Sequence, residues 1–293
     1  MERTAGMTNS RSCFILGLPA AGKTSYLSAL AYSLQQGKVE TKLHWNKYSG
    51  NQQYLANLST TWAAAEPVLR TSIANQQNCL SLCLNDQDNN VYNVMFPDLS
   101  GETFQKQYTD REIEASLAKS ITDCEGILLF INPQQIVEPT LISELPLRPR
   151  QLAAEEENIA KRNPTQDDPT EVQLVSLLQD VMYLRSGNIC SLIIIISAWD
   201  TVKEYETIPE EFVSKRLPFL WQFIKTNESI FSTSFYGVSA QGGSYETPEQ
   251  SELLISQHME KPVERILVVN FHGEESHDIT LPLWEAVNQV SER

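Results

Sequence analysis

The chain has 293 residues, enough for one large domain with a sizeable core. Hydrophobic residues make up 41% and charged residues 20%, as in globular proteins, and the net charge of −15 argues against a nucleic-acid partner, which needs a basic face. No run of about 18 apolar residues is present, and Met1 to Ser12 lacks the apolar core of a signal peptide, so the expectation is a cytoplasmic protein with no membrane association.

Ser12 to Leu16 reads as a short buried strand that runs into a glycine turn. Leu27, Leu30, Ala31 and Leu34 then recur at helical spacing over 23–35, and Gly37 is a natural stop. A helix is expected around 54–65. Two strands, 78–84 and 91–96, flank the turn-forming tract Asp86 to Asn90. Residues 101–121 read as one surface helix and 126–131 as a buried strand. Residues 132–170 break the rhythm with Pro133, Pro139, Pro146, Pro149, Pro164 and Pro169, and read as an extended, partner-facing insertion within a single domain spanning 1–293. Helical spacing returns over 172–184. Leu192 to Ile196 is the most apolar stretch and reads as a central parallel strand. A helix over 209–224 is expected to break near Pro218, followed by a strand at 234–238, a helix at 252–261, an extra strand at 266–270 and a helix at 282–290. The alternation implies an α/β fold in three layers, a mostly parallel central sheet flanked by helices. The five cysteines, Cys13, Cys79, Cys83, Cys124 and Cys190, read as buried free thiols, since no second pair or histidine completes a metal site around Cys79 and Cys83.

Gly17 to Thr24 spells G-x-x-x-x-G-K-T between a strand and a helix, the context in which this pattern forms a phosphate cradle. Gly17, Ala20, Ala21 and Gly22 let the backbone wrap a phosphate, whose charge the helix N-terminus also favours. Lys23 reaches the β- and γ-phosphates, Thr24 offers its hydroxyl to Mg²⁺, and Ser25 completes the cradle. Asp98 follows a strand end, where a P-loop fold needs a carboxylate for the metal shell, and Gly101 can present its N–H to the γ-phosphate. A plain strand-to-helix turn is the bland alternative.

This Asp-x-x-Gly order resembles the third motif of GTPases. The GTPase resemblance implies that Glu102 stands where a water-positioning Gln is common. It also implies that a threonine before the third motif caps the metal: Thr71 after Arg70 fits best, with Thr60 and Thr61 as other candidates. Arg70 would supply transition-state charge, with Arg111 as a second choice. Ser197 to Asp200 resembles the guanine-reading fourth motif, with Ala198 where a Lys is usual and Trp199 placed either beside the base or in the core. Ser239 to Gln241 resembles the fifth motif, with Gln241 in place of Lys. The whole set resembles the class that includes translation factors and small signalling GTPases. Phe96 to Glu102 and the Arg70-Thr71 pair look like the bacterial double-GTPase families of conflict and defence clusters. That implies GTP or GDP, Mg²⁺ and protein partners encoded nearby. A kinase reading adenine, and a nucleotide-binding scaffold without turnover, remain open on the same residues.

Overall fold

The computed structural model describes residues 10–37, 39–47, 52–67, 80–97, 101–140, 162–205 and 208–289. In chain order the elements are β1 (Ser10–Gly17), α1 (Lys23–Gln36), β2 (His44–Lys47), α2 (Gln52–Ala63), β3 (Leu80–Asn85), β4 (Val91–Phe96), α3 (Glu102–Asp110), α4 (Ala115–Asp123) and β5 (Gly126–Ile131). There follow α5 (Pro164–Asp167), α6 (Thr170–Leu184), β6 (Cys190–Ser197), α7 (Pro209–Arg216), α8 (Pro218–Thr226), β7 (Phe231–Ser239), α9 (Pro248–Gln257), β8 (Leu267–Val269), β9 (Glu275–Ser276) and α10 (Leu281–Asn288).

The strands form one nine-stranded sheet in the order β2-β3-β4-β1-β5-β6-β7-β8-β9. The stretch β4-β1-β5-β6-β7 is parallel, and both flanks are antiparallel. β5 and β6, apolar at nearly every position, are buried throughout, as strands covered on both faces must be. Alternate residues feed two cores. Ile15, Ile193 and Ile195 pack with α1, α2 and α10, whereas Phe14, Leu16, Ile194 and Ile196 pack with α3, α4, α6, α7 and α8. This is the expected three-layer α/β fold.

Gly17 lies opposite Phe130, Phe130 opposite Ile195, and Ile195 opposite Tyr236. The parallel strands therefore end together along one edge of the sheet, where ligands of open α/β sheets bind.

Some local expectations change. The segment 101–121 is two helices, because Arg111 takes a left-handed conformation at φ 58° and ends α3. The break at Pro218 is present, with the proline opening α8. The helix expected at 252–261 lies at 248–257, because Thr247 and Gln250 close a capping box around Pro248. Inside the 132–170 insertion, Pro133–Gln135 forms a 3-10 turn and Pro164–Asp167 a short helix, so its two ends are ordered; 141–161 lie outside the described residues. Cys13, Cys83, Cys124 and Cys190 are free thiols, with Cys83 half-buried, and Cys79 lies outside the described residues. Burial pushes the Cys124 thiol up to about 12 and Cys190 to about 11, which keeps both unreactive at neutral pH.

Candidate nucleotide site

The loop after β1 turns on two left-handed residues, Ala20 at φ 58° and Gly22 at φ 94°. Gly22 cannot carry a side chain, because a Cβ there would lie 2.7 Å from the Ser197 hydroxyl. It opens α1 with no side-chain cap, so the first-turn N–H groups of a 14-residue helix face the loop. Such an end attracts anions. Lys23 is only 2% exposed. Its ammonium donates to the carbonyls of Gly17 at 2.7 Å and Leu18 at 3.0 Å, and lies 6.0 Å from the Phe104 ring. Thr24 and Ser25, in the first turn of α1, are half-buried, while Ala21 is buried. Asn132, just past β5, donates from its side-chain amide to the Ala20 carbonyl at 3.0 Å.

A second glycine-capped helix meets this loop. Gly101, at φ 80°, opens α3, again with no side-chain cap. A Cβ on Gly101 would sit 2.5 Å from the Pro19 nitrogen and 2.8 Å from the Leu18 carbonyl oxygen. Two helix N-termini thus converge beside the buried Lys23, and Glu102, exposed, begins the second helix. This arrangement fits a polyphosphate. Of the residues expected to hold the metal, Thr24 stands at the cradle, whereas Thr71 and Asp98 lie outside the described residues, as does Arg70.

Two other expectations are corrected. Thr60 and Thr61 belong to α2, with the Thr60 hydroxyl donating to the Ala56 carbonyl at 3.0 Å, so neither sits in a loop near the cradle. Arg111 ends α3 at the end away from Gly101, stacked 4.9 Å over Tyr108 and bonded to the Ser176 hydroxyl.

The residues expected on the base side lie past β6 and β7. Ser197 is buried, and its hydroxyl donates to the Ile131 carbonyl at 3.3 Å. Ala198 is left-handed at φ 47° and turns the chain into a 3-10 turn over Trp199–Thr201. Trp199 is fully buried against Phe212, so it belongs to the core and not to the base. Asp200 is half-buried, and its carboxylate accepts a hydrogen bond from the Ser239 hydroxyl, which accepts from the Gly242 N–H at 3.0 Å. The fourth and fifth motifs are therefore joined through side chains. Ala240 is held from outside, since the Trp62 indole N–H donates to its carbonyl at 2.8 Å. Gln241 is buried at 6% exposure.

Sequence reasoning passed over Asn132, Ser239 as a partner of Asp200, and Trp62. Asn132 follows a strand end on the ligand edge, a position that could have drawn notice. Trp62 carries no local signal, because its partner lies 178 residues away.

The Double-GTPase 1 family model matches residues 14–286. No curated protein matches the chain significantly. Among solved structures, the chain is similar to nucleolar GTP-binding protein 1 of Plasmodium falciparum, with 12% identity, 86% of this chain and 88% of that one covered, and a TM-score of 0.38. It is also similar to the S. cerevisiae Ski7 GTPase-like domain bound to GTP, with 16% identity, 86% and 50% covered, and a TM-score of 0.37. For Sup35 complexed with GDP the values are 10%, 81% and 39%, and 0.34. The chain thus spans half of the Ski7 chain and 39% of the Sup35 chain. At these scores the family model alone carries the assignment. Its match reaches from within β1 into α10 and includes every motif from Lys23 to Ser239, and the chain is a P-loop GTPase of the Double-GTPase 1 family.

Proposed function

We propose that the chain is a GTP-driven switch that hydrolyses its nucleotide with Mg²⁺ and gates a protein partner, within a cytoplasmic conflict or defence system. One observation carries the nucleotide reading. Two helix N-termini, opened by Gly22 and Gly101 without side-chain caps, converge on a lysine that is 2% exposed. Gly17, Ala20, Ala21 and Gly22 wrap the phosphates, Lys23 and the Gly101 N–H meet the γ-phosphate, and Ser25 supports the cradle. Thr24, Thr71 and Asp98 would hold Mg²⁺, which shields the phosphate charge. Glu102 positions the attacking water, and Arg70 stabilises charge that develops in the transition state.

Guanine is read by Asp200, with Ser197, Ser239 and Ala240 lining the base side. The guanine N1–H and exocyclic amine match a carboxylate, whereas adenine offers no such pair of donors. The gating role rests on the family resemblance and on the proline-rich 132–170 segment. Phosphate release from GTP by the purified chain, in Mg²⁺ and in EDTA, tests the reading. Turnover should require Mg²⁺ and be lost in Lys23→Ala; a chain that binds GTP in Mg²⁺ without releasing phosphate would be the non-hydrolysing scaffold.

A further inference from the structure

α3 is nine residues long, about 13 Å, and its two ends touch different parts of the molecule. At the near end Gly101 packs on Leu18 and Pro19 of the cradle loop, and Phe104, one turn on, lies 6.0 Å from the Lys23 ammonium. At the far end the Tyr108 hydroxyl donates to Asp168 at 2.5 Å, at the exit of the 132–170 insertion. Both residues are buried, at 5% and 4% exposure. The other Asp168 oxygen accepts from the Arg162 Nε at 2.9 Å. The Gln107 amide donates to Asp180 on α6 at 2.7 Å.

The insertion's entry is tied to the same machinery. Asn132 holds the Ala20 carbonyl, and the neck is fastened where the Thr170 N–H donates to the Val137 carbonyl at 3.0 Å and the Val137 N–H to the Thr170 hydroxyl at 2.9 Å. Entry and exit therefore bracket the cradle, one end on the loop and the other on α3. The junction is also incompletely satisfied. Gln107 and Gln173, 4% and 3% exposed, each bury a side-chain oxygen with no hydrogen-bond partner among the described residues. A polar network left partly unsatisfied in one arrangement suits an element that has a second one.

We propose that Tyr108 and Asp168 form a latch through which α3 reports the state of the phosphate cradle to the 132–170 insertion. The inference rests on the nucleotide reading above. A phosphate that draws on Lys23 or Gly101 shifts the near end of α3, and a packed helix passes that shift to its far end as a unit. The Tyr108–Asp168 bond is then remade or released, and the insertion exit with it. By reciprocity, whatever binds the insertion changes the affinity ratio of GTP to GDP by the same factor.

Hydrogen–deuterium exchange on the full chain, with GDP or a non-hydrolysable GTP analogue, tests this. The backbone amides of Asn163 and of Thr165 to Asp168 should exchange with a difference of at least about fivefold between the two nucleotides, the low end of common coupling strengths. In Tyr108→Phe, which keeps the ring and removes the hydroxyl, the difference should fall below about twofold, while calorimetric affinity for GDP stays within about threefold of wild type. Asp168→Asn should behave the same way, and serves if the first variant loses its melting transition. If the wild type binds both nucleotides and these amides exchange alike, or if both variants keep the full difference, the latch is overturned alone. If the wild type binds neither nucleotide, the nucleotide reading falls and the latch with it.

Discussion

The two halves of the candidate nucleotide site are built on different principles. The phosphate half is mostly backbone: two glycine-capped helix ends, a left-handed Ala20 and one buried lysine whose ammonium rests on loop carbonyls. The base half is mostly side chains, with Asp200 held by Ser239, Ser239 held by the Gly242 N–H, and Ala240 held by Trp62. Backbone cradles accept any polyphosphate, whereas a placed carboxylate can tell guanine from adenine. The first half should therefore set how tightly a nucleotide binds, and the second which nucleotide.

The comparison can be broken most severely at Lys23. Lys23→Ala removes the fixed cation of the cradle and should abolish tight binding of GTP and ATP alike in calorimetry; retained affinity for either would contradict the cradle. Gly101→Ala should come next. An alanine at φ 80° costs about 1–2 kcal/mol in backbone strain, and its Cβ meets the Pro19 nitrogen at 2.5 Å. Affinity should fall about tenfold or more for every nucleotide, with a lower melting temperature. A variant with normal affinity would show that α3 does not need to approach the loop.

Ser239→Ala should act differently. A hydrogen bond to a charged group contributes roughly 1.5–3 kcal/mol, so loosening Asp200 should lower the GTP-over-ATP preference about tenfold and leave ATP affinity nearly unchanged. Equal losses for both nucleotides would mean that Ser239 only supports the fold.

The last expected effect is on stability, not on nucleotide binding, and lies away from both halves. The Tyr108 hydroxyl, and then Arg162, hold the Asp168 carboxyl below the usual carboxylate range. A depressed folded pKa stabilises the fold at neutral pH and ceases to do so as pH falls through it. Asp168→Asn should therefore cost about 1–3 kcal/mol near pH 7 in denaturant unfolding, and the gap to wild type should close below about pH 4. A gap independent of pH would assign the loss to packing.

The same contrast explains what the sequence disclosed. The cradle is contiguous, so Gly17 to Thr24 could be read between a strand and a helix, and the apolar runs of β5 and β6 marked the sheet centre. Gly101 was legible as a candidate γ-phosphate contact, but not as a residue packed on Pro19. The base half depends on partners distant in the chain, such as Ser239 with Asp200 and Trp62 with Ala240, for which no local pattern exists. Trp199 looked available to a base because it adjoins Asp200, yet the turn at Ala198 sends it into the core against Phe212. The break after α3 was missed because Arg111 is not a residue type that usually adopts a left-handed conformation.

A competition assay with GTP, ATP and XTP, on the wild type and on Asp200→Asn, tests the central claim most directly. In the proposed reading guanine presents two donors to the half-buried Asp200, and a carboxylate covered by adenine without them loses roughly 1–3 kcal/mol, so the wild type should prefer GTP over ATP by at least about tenfold. In Asp200→Asn the preference should move toward XTP, because xanthine carries a carbonyl where guanine has its amine. A wild type that binds ATP as tightly as GTP, or a variant that keeps the full preference for GTP, would contradict the account.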